Sequence, residues 1–329
     1  MSETIEKFNK HVMQTYGRLP IVLEKGHNDD AVDENGKEYI DFGSGIGTNS
    51  LGYCNDKWAD AVCAQARAIQ HTSNYFYTKV QADFAAKLCE LTGYTDVFFG
   101  NSGAEANECA IKLARKYSFD KYGKGRHTFV TLVNSFHGRT LATLSATGQD
   151  VFHNCFFPFV EGFVNVPAND IDALRKLIAE DKTICAVMFE FVQGEGGVNP
   201  LDKAFVDEIF KLCGENDILT VADEVQTGVG RTGAILTSMR YGVKPDITTL
   251  AKGIAGGVPM GACLADEKCA GVLVKGTHGS TFGGNPLACA GGNVVLDTVS
   301  SEGFCDEVIA KGEYFRKKLA ETVSYTHLT

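Results

Sequence analysis

The chain has 329 residues, 44% hydrophobic and 22% charged, with a formal net charge of -10. That is ordinary globular composition, with length for about two domains, and the acidity disfavours phosphate backbones and anionic lipid, so no nucleic acid and no membrane is expected as a partner. The 11 cysteines include no C-x-x-C pair; they read as small buried residues and free thiols of a reducing compartment, and none is given a chemical role.

The N-terminus has no apolar run behind a basic cap, so no signal peptide is expected and a cytoplasmic location is. Residues 1–45 read as a separate small element, in which alternating residues from Gly26 to Phe42 surround the turn signal Asp33-Glu-Asn-Gly36 and predict a hairpin. Thr95–Phe99 is an apolar run, and a helix is predicted after it over Gly103–Tyr117, with Ala106, Ala110, Leu113, Ala114 and Tyr117 on one face. Thr128–Val133, Ile184–Phe189, Ile218–Ala222 and Ile247–Leu250 predict further strands, with helical segments over Ile171–Glu180 and Ala204–Cys213. The stretch Ile184–Val192 is broken by Glu190 and is too short to span a membrane. From Gly291 one helical pattern runs to about Thr322, and Ser324–Thr329 carries no core pattern.

Strands that are apolar throughout, alternating with helices, indicate an α/β fold with a mostly parallel sheet covered on both faces. Ligands of such sheets gather at the carboxyl ends of the strands. The polar residues just after each apolar run are therefore the candidates.

Asn101-Ser-Gly-Ala-Glu-Ala-Asn107 joins a strand to a helix. Ser102 and Glu105 fit a capping box, and Gly103 with the free N–H groups of the helix start fits a phosphate site; a simple cap explains the segment equally well. Asp223 arrives at the end of an apolar strand, followed by Glu224, Val225 and Gln226, where a metal, a helix cap or a cofactor cation are all open partners. Lys252 follows another strand and precedes Gly253 and Gly256-Gly257. It is either a surface lysine or a partly buried amine suited to imine formation. Ser135-Phe-His-Gly-Arg-Thr140 offers Phe136 and His137 as core and loop residues, and Arg139 as an exposed charge or a clamp for a carboxylate. Glu190 and Glu195 follow a further strand, and Gly279-Ser-Thr-Phe-Gly-Gly-Asn-Pro286 is a glycine-rich loop with two hydroxyls, Ser280 and Thr281. Together these supply a phosphate cradle, an acid to face a ring, a lysine and an aromatic, the parts a pyridoxal phosphate site needs. No metal is assigned.

The segments NSGAEANE (101–108), FHGRT (136–140), DEVQTGVGRTG (223–233), PDITTLAKGIAGGVPMGA (245–262) and GSTFGGNPLAC (279–289), in that order, resemble the class III aminotransferases over about Phe8 to Leu319. The resemblance implies a fold-type I pyridoxal-phosphate-dependent transferase. Residues 1–45 would be the N-terminal segment of a small domain, 46–286 the large cofactor domain, and 287–329 the start of a C-terminal small domain. It implies that Lys252 carries the cofactor as a Schiff base, that Asp223 pairs with the pyridinium nitrogen, that Val225 and Phe136 flank the ring and that Gln226 contacts the ring hydroxyl. Glu224 is placed among the cofactor residues, and Ser102, Gly103 and Ala104 would bind the phosphate. Arg139 would hold the substrate carboxylate, with Glu195 near the substrate side chain. Ser280 and Thr281 would reach across a homodimer interface, Thr281 to the neighbour's phosphate.

The implied substrates are small amino acids and 2-oxo acids. N2-acetylornithine would give its terminal amine to 2-oxoglutarate, as a step of arginine biosynthesis. The alternatives are other ω-amino acids, namely ornithine, 4-aminobutyrate or succinyl-diaminopimelate. Family chains continue past this endpoint to a second arginine for dicarboxylates, so a cut-short small domain, and with it an inactive fragment with only a binding or assembly role, is a further expectation.

Overall fold

The computed structural model of the chain describes residues 2–323; Ser324–Thr329 lies outside them. Strands β1 (Leu23–His27), β2 (Asp30–Asp33) and β3 (Glu38–Ile40) form a small antiparallel sheet. The predicted turn lies between β2 and β3, with Gly36 at φ +80, a conformation glycine adopts without penalty. The large sheet holds β4 (Asp96–Gly100), β5 (Thr128–Leu132), β6 (Phe163–Val166), β7 (Ile184–Phe189), β10 (Leu219–Asp223), β11 (Ile247–Leu250) and β12 (Gly261–Ala265). A two-residue ribbon, β8 (Val192–Gln193) with β9 (Asn199–Pro200), follows β7. The order across the large sheet is β4-β12-β11-β10-β7-β5-β6, and only β12 runs against its neighbours.

Alternation along the strands divides the core. Val130 and Leu132 of β5 face Leu174, Ile178, Phe205 and Ile209 of the helices Ile171–Glu180 and Lys203–Asn216. Phe129 of β5 and Cys263 of β12 instead join Cys109, Ala110, Leu113 and Ala114 of the helix Gly103–Tyr122 on the opposite face. Burying each valine, leucine, isoleucine or phenylalanine among them stabilises the fold by about 1.5–3 kcal/mol. Helices therefore cover both faces, as the apolar strands predicted.

Three expectations change. Strands β6 and β12 were not foreseen; in β12 glycine and alanine replace the branched residues that mark strands. The helices Asp56–Ala68 and Lys79–Thr92 were also not foreseen. The single helix expected from Gly291 is two, Pro286–Val299 and Phe304–Val323, separated at Gly303, whose φ of +81 no helix interior adopts. Pro286–Val299 packs Ala288, Val295 and Leu296 against Phe84, Leu88 and Ile254, so residues 287–299 share the core of the large sheet. Phe304–Val323 meets the N-terminal segment, with the rings of Phe42 and Phe315 stacked 6.2 Å apart.

Candidate active site

The buried strand β10 delivers Asp223 at its carboxyl end. Asp223 Oδ2 accepts from Asn107 Nδ2 at 2.8 Å and faces His137 Nδ1 at 2.8 Å, and Oδ1 accepts the Val225 N–H at 3.0 Å. Asn107 also donates to the His137 carbonyl at 2.7 Å, and its Oδ1 accepts from the Thr249 hydroxyl at 2.7 Å. One carboxylate is thus fixed from the 103–122 helix, from the loop after β5 and from β10's own extension. Burial pushes the His137 imidazolium down, but the hydrogen bond and charge of Asp223, with the charge of Glu190, outweigh it and raise its pKa. His137 Nε2 is buried without a partner among the described residues.

Glu190, at the end of β7, accepts the Phe136 N–H at 3.0 Å. Burial pushes its carboxyl up to about 7; the charge of Asp223 adds to this and His137 opposes it.

Lys252 opens a short 3-10 turn directly after β11, at φ +46. A side chain in that region costs about 1–3 kcal/mol and persists only where the surroundings impose it. Burial pushes the amine's pKa down, against the pull of Asp223, Glu195 and Glu190. The lowered pKa increases the free-amine fraction that can attack a carbonyl.

The helix Gly103–Tyr122 starts at the same edge. Ser102 Oγ accepts the Glu105 N–H at 3.1 Å. The expected reciprocal bond is displaced by one residue: Glu105 Oε2 accepts from Asn101, from the backbone N–H at 2.7 Å and from the amide Nδ2 at 2.8 Å. Both donors converge on that oxygen, so it does not take the Ser102 N–H as a reciprocal capping bond would. A Cβ on Gly103 would lie 2.7 Å from Val225 Cγ1, so only glycine lets the helix start approach so closely.

A cavity of about 420 Å³ is lined by Ser102, Gly103, Ala104, Phe136, Arg139, Glu195, Asp223, Val225, Gln226 and Lys252, so these sequence candidates come together. Arg139 is exposed, and its guanidinium sits over the rings of Phe152 (3.9 Å to the centroid) and Phe136 (5.4 Å). Three candidates stand elsewhere in this chain. Glu224 is turned away from the cavity. Its carboxylate accepts the N–H groups of Thr237 (2.5 Å) and Ser238 (2.9 Å), the start of a short helix, because alternate residues of an extended segment face opposite sides. Ser280 Oγ accepts from Asn101 Nδ2 at 3.2 Å and from the Gly283 N–H at 3.0 Å, beside the cavity rather than in its wall. Thr281 is exposed, near His71 and Asn74.

The sequence reading did not single out Asn107 and Thr249, and took His137 for a loop residue. A signal for Asn107 existed: it is an amide beside Ala106 and Ala110 on a helix face otherwise built of small apolar residues.

These residues fit pyridoxal phosphate. An amine suited to imine formation, a carboxylate braced by two side chains, and a glycine-opened helix start for a phosphate share one cavity.

Residues 12–328 match the aminotransferase class-III family. The acetylornithine aminotransferase of Haemophilus ducreyi is 52% identical over 309 residues, covering 94% of this chain and 78% of that protein. The acetylornithine aminotransferase of Elizabethkingia anophelis superposes with a TM-score of 0.87 at 34% identity, over 99% of this chain and 79% of that one. An ornithine aminotransferase of Toxoplasma gondii, solved with pyridoxal phosphate partially occupying its active site, gives a TM-score of 0.93 at 34% identity, over 98% and 76%. Family match, relatives and fold agree: this chain belongs to the class-III aminotransferases, which depend on pyridoxal phosphate.

Proposed function

We propose that this aminotransferase moves the terminal amine of N2-acetylornithine to 2-oxoglutarate, giving N-acetylglutamate 5-semialdehyde and glutamate, a step of arginine biosynthesis. The observation that carries the site is the half-buried amine of Lys252 sharing a cavity with the braced carboxylate of Asp223 and the Gly103 helix start. The substrate rests on relatives named for it at 44–52% identity.

When bound, the cofactor supplies an electron sink that makes the hydrogen beside the transferred amine acidic. Lys252 would hold it through its Nζ, and the same amine would be placed to take and return that proton. Asp223, held by Asn107 and His137, keeps a proton on the ring nitrogen. The N–H groups at Ser102, Gly103 and Ala104 receive the phosphate. Phe136 and Val225 would flank the ring, and Gln226 would meet its hydroxyl. Arg139 holds the substrate α-carboxylate through its planar fork, with Glu195 beside the substrate chain.

We place this chain in a cytoplasmic homodimer in which Ser280 and Thr281 serve the neighbouring site, Thr281 at its phosphate. We also place 1–45 with the helix after Gly303 in one small unit, because Phe42 and Phe315 stack and 287–299 is built into the large core.

Comparing kcat/KM on N2-acetylornithine, ornithine, 4-aminobutyrate and succinyl-diaminopimelate, with 2-oxoglutarate as acceptor, tests the reading. N2-acetylornithine is expected to lead. Equal or better turnover of free ornithine, the second reading favoured by the Toxoplasma gondii fold match, overturns the choice.

A further inference from the structure

On the β4–β12 edge of the sheet lies a second group of reactive side chains that transamination does not use. Cys109 of the 103–122 helix, Cys263 of β12, Cys269 and His278 line a separate cavity of about 220 Å³, with Asp96 of β4 at its wall. Lys112 Nζ donates to His278 Nδ1 at 2.9 Å and to the Thr277 carbonyl at 2.9 Å. An ammonium only donates, so Nδ1 must accept and the imidazole proton sits on Nε2. The ring of Phe98, 4.5 Å away, holds the imidazole in place. The arrangement is a nucleophile beside an imidazole that a third group orients.

We propose that Cys109 is a modification site for hydrogen peroxide, with Cys263 as the thiol that resolves the oxidised sulfur into an intrachain disulfide. The Cys109 sulfur attacks a peroxide oxygen. An S–O bond forms, the O–O bond breaks, and the departing hydroxide leaves as water with the thiol's proton, so sulfur is oxidised and the peroxide reduced. Cys263 then attacks the sulfenic sulfur, forming S–S and breaking S–O, and its proton leaves with the hydroxide as a second water.

The electrostatics agree. Hydrogen bonds from Cys263 and His278, with the charge of Lys112, hold the Cys109 thiol down at about 6 against burial. The bond to Cys109 and burial push Cys263 up, with Cys269 and Asp96 adding to the effect, which keeps it a thiol until sulfur is oxidised. Thiolate reacts and thiol does not, so of the two sulfurs Cys109 is the one that attacks and Cys263 the one that resolves.

The test uses the cofactor-loaded protein carrying Cys54→Ser, Cys63→Ser and Cys155→Ser, which removes the exposed thiols. Under a small excess of hydrogen peroxide, intact mass is expected to fall by two hydrogens, and non-reducing peptide mapping to find Cys109 joined to Cys263. The rate is expected to reach half its maximum near pH 6, against about 8.5 for an ordinary thiol. With Cys263→Ser added, dimedone is expected to label Cys109. With His278→Gln added, the half-maximal pH is expected to rise. Absence of both the cross-link and the dimedone label, in protein whose circular dichroism is native, overturns the proposal, as does a half-maximal pH in the ordinary thiol range.

Discussion

Asp223 and Glu190 approach the same cavity from neighbouring strands with different company. Asp223 has two side-chain partners, whereas Glu190 is buried with backbone donors alone. A carboxyl raised to about 7 keeps its proton in the folded chain at pH values where the unfolded chain has lost it. Stability attributable to Glu190 therefore falls as pH rises from its ordinary 4.5 toward 7. Glu190→Gln should gain in Tm on the native protein across that window, and calorimetry at several pH values checks it. Lys252→Ala should abolish the visible absorbance of bound cofactor and lower kcat by about 10²–10⁴-fold or more. Absorbance spectra and single-turnover assays read both effects. The lysine, the aspartate and the glycine were legible because each follows an apolar run that had to be a strand. Asn107 and Thr249 were not, since a buried amide and hydroxyl acquire meaning only from the carboxylate that folding brings to them. Glu224 was misplaced for a related reason: a one-letter neighbour of Asp223 points to the other face.

At the scale of elements, the Gly103 helix start is packed against Val225 with no room for a methyl group. Gly103→Ala should cost about 1–3 kcal/mol by overpacking and weaken cofactor retention, measurable by thermal melts with and without added pyridoxal phosphate. Gly303 has open space around its Cβ position, so Gly303→Ala meets only its backbone penalty. About 1–2 kcal/mol is expected in denaturant unfolding, with no change in KM. The strands β4, β5, β7, β10 and β11 could be read as apolar runs, whereas β12 could not, because Gly-Ala-Cys-Leu-Ala takes its strand conformation from two flanking partners rather than from its own propensity.

For the whole molecule, the most exposed apolar surface is informative. Tyr75, Phe76 and Tyr77 stand in a row, and Asn74 ties them to the Ser280 loop by donating to the carbonyls of Ser280 (3.1 Å) and Gly283 (2.9 Å). Phe282 extends the patch, its ring 5.0 Å from His71. The homodimer proposed above would cover such a surface. Sedimentation velocity should find a dimer, and Tyr77→Glu should shift it toward monomer while cofactor loss accompanies dissociation. A monomer that retains full activity would refute shared sites.

The reversed direction of β12 has a consequence for access and motion. Because it starts at the edge where β11 ends, the chain from Lys252 to Met260 never leaves that edge; it is a short strap tied down at both ends by adjacent paired strands. A Cβ on Gly261, the first residue past the strap, would sit 2.1 Å from the Ser102 carbonyl, so the strap's far anchor also abuts the helix that would grip phosphate. Amine and anion ends of the pocket are thereby tethered through one stiff ribbon. Hydrogen exchange along this strap should be slow and cooperative with the sheet, and swings of the lysine should come from its side chain rather than from the backbone beneath it.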